Sequence, residues 1–119
     1  MDQFRFLNWK VYKDSKLLLS LILDIVKKLP KEYRYELSNQ IIRSTFSIVL
    51  NIAEGAGKTS DKELNRFIEI ALGSVSETLA GLDVFRDNAL ITVKEFDNCF
   101  RILTEISSQL GGFKKKFNK

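Results

Sequence analysis

Four carboxylates, Glu54, Glu63, Glu69 and Glu77, share one stretch, NIAEGAGKTSDKELNRFIEIALGSVSE, with Gly55, Gly57 and Gly73 and the bases Lys58, Lys62 and Arg66. Paired carboxylates can perform acid–base chemistry or hold a divalent cation through oxygen. A glycine-rich run ending in lysine and a hydroxyl can cradle phosphate. Basic side chains repeated along a helix can neutralise nucleic-acid phosphates. The stretch could equally be a plain connector between helices.

The phosphate loop fails on spacing. The pattern G-x-x-x-x-G-K-[ST] would need glycine where Ile52 stands, and a strand before it. A helix end feeding a new helix start is the better reading, with amides at that start able to meet an anion. The carboxylates lack further ligands at diagnostic spacing, so solvated or helix-capping roles are expected. Glu54 and Glu77, flanked by small and apolar residues, are the two to locate. A carboxylate enzyme would need them to converge in a solvent-reached pocket.

The chain has no histidine. Serine–histidine and cysteine–histidine catalysis, imidazole zinc sites and the Glu-x-x-His di-iron pattern are therefore excluded. The lone Cys99, in FDNCFRIL, reads as a small buried hydrophobe. The protein is read as a non-enzyme, with no catalytic residue, metal site or cofactor.

The elements that position these residues are helical. At 119 residues, with 45% apolar and 29% charged residues, the chain has the length and composition of one soluble domain. One proline and six glycines favour long helices over sheet turns. The N-terminus lacks a signal-peptide pattern. LLLSLILDIV is too short to span a bilayer, which takes roughly 20 apolar residues. A cytoplasmic protein is expected.

The spacing predicts helices over about 8–28, 33–54, 61–88 and 93–115. Asn8 is the candidate N-cap of the first, and Pro30 lies beyond its end. Gly55 and Gly57 are expected to stop the second in left-handed or extended backbone. SDKE (Ser60 to Glu63) and TVKE (Thr92 to Glu95) read as capping boxes opening the third and fourth. In the fourth, Val93, Phe96, Phe100, Leu103, Ser107, Leu110 and Phe113 form the expected core stripe. Gly73, mid-helix, implies a close backbone crossing. Short joints imply an all-α, antiparallel up-down-up-down four-helix bundle. Helices 1 and 2 carry second apolar stripes: Val11, Leu18, Leu21 and Ile25 on one, Ile42, Phe46, Val49 and Leu50 on the other. A stripe about 100° wide suffices for a monomer. The surplus predicts a homo-oligomer interface.

The net charge is +4. Lys58, Lys62 and Arg66 recur at four-residue spacing, Arg43 lies on helix 2, and the tail FKKKFNK, where helix 4 ends, adds Lys114, Lys115 and Lys116. These are the candidate nucleic-acid contacts.

The segment QIIRSTFSIVLNIAEGAGKTSDKELNRFIEIALGSVSE, residues 40–77, resembles the hallmark of four-helix-bundle proteins encoded in 23S ribosomal RNA intervening sequences. In register are Gln40, Arg43, Ser47, Ile48, Asn51 through Gly55, Gly57, Ser60, Glu63, Phe67, Ile70, Ala71, Gly73, Ser74 and Glu77. The resemblance implies a homopentameric ring of antiparallel protomers. It also implies kinship with retroelement accessory proteins, which pair with a reverse transcriptase and bind nucleic acid through a basic surface. By position it makes Arg43, Lys58 and Arg66 candidate phosphate contacts, and Asn51, Glu54 and Glu77 structural polar residues at the joint. Ile42 stands where arginine is usual, Val49 replaces proline and Thr45 replaces alanine. The first removes a basic group; the second predicts a straighter helix 2.

Two functions are thus expected: an oligomeric helical scaffold binding structured RNA or DNA, or an assembly module contacting only protein. They differ in whether Arg43, Lys58 and Arg66 cluster.

Overall fold

The computed structural model describes residues 4–117, with side chains through residue 114. Four helices, α1 (Lys10–Val26), α2 (Lys31–Ala56), α3 (Asp61–Asp87) and α4 (Val93–Phe117), follow a short 3-10 turn, Arg5–Asn8. There is no strand among the described residues. Helix α2 packs on α1 and α3, and α4 on α3 and α1. The body measures 46 × 21 × 20 Å, roughly one long helix in length. No helix among the described residues is long and apolar enough to cross a membrane.

Contacts at the ends fix how the helices lie. Trp9, at the start of α1, meets Phe113 near the end of α4, ring centroids 4.9 Å apart. At the other end Lys28, just past α1, pairs with Glu95 in the first turn of α4. Lys114 pairs at 3.3 Å with Glu69, near the start of α3.

The caps follow local chemistry. Ser60 Oγ accepts from the Glu63 N–H at 3.1 Å and opens α3. At Thr92 both arms of the box form: its hydroxyl accepts from the Glu95 N–H, and Glu95 accepts from the Thr92 N–H. Burial pushes the Glu95 carboxyl up, but hydrogen bonds from Lys28 and the Thr92 backbone outweigh it and hold the group below the ordinary carboxylate value.

Three expectations about turns are corrected. Asn8 ends the 3-10 turn, and Trp9 occupies the N-cap of α1 with no side-chain hydrogen bond. Gly55 lies inside α2, and its C-cap Gly57 is right-handed, with φ −86°. No glycine among the described residues has positive φ. The left-handed cap occurs at Ala89 (φ 57°), just after α3. There the Leu90 N–H reaches Phe85 O and the Ala89 N–H reaches Arg86 O, which satisfies the last carbonyls despite the methyl group.

The core draws on both apolar stripes of α1. Val11, Leu18, Ile22, Ile25, Val26 and the following Leu29 are all buried, because α1 must cover α2 on one side and α4 on the other. Val11, Leu18 and Ile25 are therefore protomer core, and their reading as oligomer interface is withdrawn. So is that of Val49, which is 5% exposed. Leu21 and Ile42 are half-buried against the same core. Phe46 (44%) and Leu50 (47%) alone of the eight remain exposed. In α4 the buried stripe is Phe96, Cys99, Leu103, Ile106 and Leu110, whereas Val93 and Phe100 face solvent. Burial, with the Glu95 charge, pushes the Cys99 thiol up to about 11, so it is an inert packing group at neutral pH.

Candidate functional site at the α2–α3 joint

Helices α2 and α3 approach closely at two glycine-scale gaps, one beside the joint and one far along the helix pair. A Cβ on Gly55 would lie 3.0 Å from Phe67 Cβ and 3.1 Å from Leu64 Cδ1. On Gly81, one would lie 3.3 Å from Ile41 Cδ1. The close crossing expected at Gly73 occurs at Gly55 instead. Gly73 is exposed, and a Cβ there would meet nothing within 4 Å.

Between these gaps runs a seam of small polar side chains. The Asn51 amide donates to Ser47 O at 2.8 Å and to Ser47 Oγ at 3.0 Å, and Ser74 Oγ donates to Ser47 Oγ at 2.9 Å. Thr78 Oγ1 donates to Ser74 O at 2.8 Å and lies 2.9 Å from Ser44 Oγ. Ser44, Ser74 and Thr78 are buried, so their pairing removes the cost of unsatisfied hydroxyls. Asn51 joins this seam; in the sequence Ser47 and Ser74 stood out only as matches to the family segment, and Ser44 and Thr78 not at all. Their spacing, 44, 47 and 51 on α2 with 74 and 78 on α3, marks one face of each helix. That signal is invisible when only apolar residues are counted.

At the solvent side of the joint two cations share one ring. Lys58 Nζ lies 5.1 Å and Arg66 Cζ 5.3 Å from the centroid of Phe67. The half-buried ring serves as a platform for both. Each contact is worth about 0.5–1 kcal/mol at an exposed site and orients the charge without neutralising it. Lys58 also approaches Glu54 Oε2 at 3.7 Å, a solvated pair of small energetic weight. Lys62 is exposed one turn before Arg66. A cleft of about 460 Å³ adjoins, lined by Phe4, Phe6, Leu50, Ala53, Glu54, Gly57 and Lys58.

The remaining candidates separate. Arg43 is exposed on α2 but lies about 20 Å along the helix from the joint. Lys114 is occupied by Glu69. Lys115 and Lys116 lie outside the described side chains. Glu63 caps α3 through its N–H. Glu54 and Glu77 line different clefts with no residue in common, Glu77 beside Leu37, Gln40, Ser44 and Val84. The pair does not converge. Among the described residues no three histidine, cysteine or acidic side chains gather as metal ligands.

A tight hydroxyl-lined crossing with cations above it occupies the middle of a longer similarity: residues 8–112 match the 23S rRNA-intervening sequence proteins. The chain belongs to that family. A crystal structure of a protein of unknown function from the S23 ribosomal protein family, from Bacteroides thetaiotaomicron VPI-5482, superposes with a TM-score of 0.82. It is 27% identical, over 88% of this chain and 98% of that one. No curated protein sequence matches the chain. The four helices of this chain agree with the all-α protomer that the resemblance of residues 40–77 implies.

Proposed function

We propose that this family member is a non-enzymatic, cytoplasmic scaffold. In this reading its antiparallel, up-down-up-down protomers assemble into a ring-like homo-oligomer that binds structured RNA or DNA through the joint. The observation that carries the reading is the convergence of Lys58 and Arg66 on Phe67, beside exposed Lys62. Two oriented cations give weak, sequence-tolerant phosphate contacts. Repetition around an oligomer multiplies them into useful avidity. Filter binding with a structured RNA at low and physiological salt is the test. Salt-sensitive retention that disappears in Lys58→Glu/Arg66→Glu is expected. No salt-dependent retention at micromolar protein rejects nucleic-acid binding.

A second reading, assembly with protein alone, is favoured by the separation of Arg43 from Lys58 and Arg66, three cations that nucleic-acid binding was expected to cluster, and by an apolar surface. Phe46 and Leu50 on α2, with Phe4 and Leu7 of the N-terminal turn, are exposed large apolar side chains. Sedimentation separates the two. A wild-type oligomer that Leu50→Glu dissociates, with no RNA retained by either form, supports the assembly reading.

A further inference from the structure

At the opposite end of the molecule, where α1 turns into α2, KKLPKEYRYE places basic and aromatic side chains around a second cleft. This cleft, of about 540 Å³, is lined by Lys27, Lys31, Arg34, Tyr35, Ser38 and Asn39 with Val26 at its base. On α2, residues 31, 35 and 38 recur at helical spacing and share one face. Tyr35 is 79% exposed, the most exposed large apolar side chain among the described residues. An aromatic ring in that position contributes nothing to the core.

The charges around it are unevenly committed. Arg34 Nε and Nη2 both donate to Leu29 O, at 3.0 and 2.9 Å, which fixes the guanidinium plane and leaves its outer edge uncommitted. Lys31 has no ion-pair partner among the described residues. Lys27 approaches Asp24 only at 3.9 Å, with both side chains largely exposed. The acidic Glu32 and Glu36 do not line the cleft. Pro30, as N-cap of α2, offers no side-chain hydrogen bond, so first-turn amides add partial positive charge. Ser38 Oγ is buried without a hydrogen-bond partner. A cleft that combines an exposed ring, a fixed guanidinium, the unpaired Lys31 ammonium and the loosely paired Lys27 matches one ligand chemistry: a base to stack and phosphates to neutralise.

We infer that the α1–α2 corner binds single-stranded nucleic acid, with Tyr35 stacking on an unpaired base and Lys27, Lys31 and Arg34 holding the adjoining phosphates. Stacking on an exposed ring tolerates any base and requires that the base be unpaired. The corner therefore discriminates strandedness rather than sequence. The inference shares its ligand class with the proposed function but uses none of the joint's residues.

The test is fluorescence-anisotropy titration of the full chain with a labelled single-stranded RNA and a blunt duplex of the same sequence. Tyr35→Ala is expected to weaken single-strand binding about tenfold and leave duplex binding unchanged, while Tyr35→Phe retains the ring and the affinity. Tyr33→Ala, an exposed tyrosine outside the cleft, is expected to change neither. Lys31→Glu is expected to flatten the salt dependence by about one phosphate contact. A 4-thiouridine single strand should crosslink to the peptide containing Tyr35. Unchanged single-strand affinity in Tyr35→Ala overturns the inference. So does equal weakening of both ligands, or a change in sedimenting mass, which would make the tyrosine an assembly contact. If Tyr35→Ala has no effect while Lys58→Glu/Arg66→Glu abolishes binding, the corner fails and the joint stands. The reverse pattern leaves the corner and removes the joint.

Discussion

Helix α3 meets α2 across a seam of paired hydroxyls and meets α4 across open clefts, although small residues build both flanks. Towards α2, Ser74 and Thr78 find partners on Ser47 and Ser44, and Gly55 admits Phe67 at contact distance. Towards α4, Ser76 and Ala80 line a cleft of about 570 Å³ with Asp83 and Phe100. A second cleft of about 400 Å³ follows beside Thr104, Ser107 and Ser108. Smallness thus has two consequences. Where a facing helix supplies a matching group it permits close approach, and elsewhere it leaves space.

Substitutions can break or sharpen that contrast. The largest effect is expected from Gly55→Val, whose branched carbons collide with Phe67 Cβ rather than with a flexible chain end. A loss of about 2–3 kcal/mol in urea unfolding is expected, and a neutral result would mean the crossing is loose. Thr78→Val keeps the shape but leaves Ser44 without its partner on α3 and Ser74 O without the hydroxyl. Thermal unfolding should show a cost of about 1–2 kcal/mol. On the exposed side, Gly73→Ala adds a methyl to open space and should stabilise by about 0.5–1 kcal/mol in the same denaturant series. Destabilisation there would instead show that another molecule covers this face.

The smallest effect belongs to the α1–α4 end, at Glu95. Its carboxyl is held below the ordinary value of 4.5, so the folded state binds fewer protons than the unfolded state in that interval. Its contribution is fully present above the unfolded value and is lost as pH falls through the lower folded value. Glu95→Gln should therefore cost under about 1 kcal/mol at neutral pH. Parallel acid titrations, followed by circular dichroism, should see wild type and variant converge below that interval.

Helix identity and the two N-caps were legible because they rest on local chemistry: apolar period, a hydroxyl at Ser60 or Thr92, and a glutamate three residues later. What surrounds a helix was less legible. The periodicity of α1 gives the directions of Val11, Leu18 and Ile25 but not the arc that α2 and α4 together cover, so ordinary core resembled surplus. Gly55 and Gly73 carry the same residue type, and only the placement of the neighbouring helix, against the one and away from the other, separates a contact from a void. The union of Lys58 and Arg66 over Phe67 depends on how the chain turns between helices. The hydroxyls at 44 and 78 escaped because an apolar count treats them as gaps, and those at 47 and 74 showed only as matches to the family segment, without their pairing.

The paired hydroxyls between α2 and α3 also act as an index. Sliding either rod by a single turn, about 5.4 Å, would detach Ser47 from Ser74 and Ser44 from Thr78 together. Greasy surfaces tolerate such slippage; numbered teeth do not. The two rods are thereby held at one axial setting, and the basic joint at their shared end keeps a constant shape.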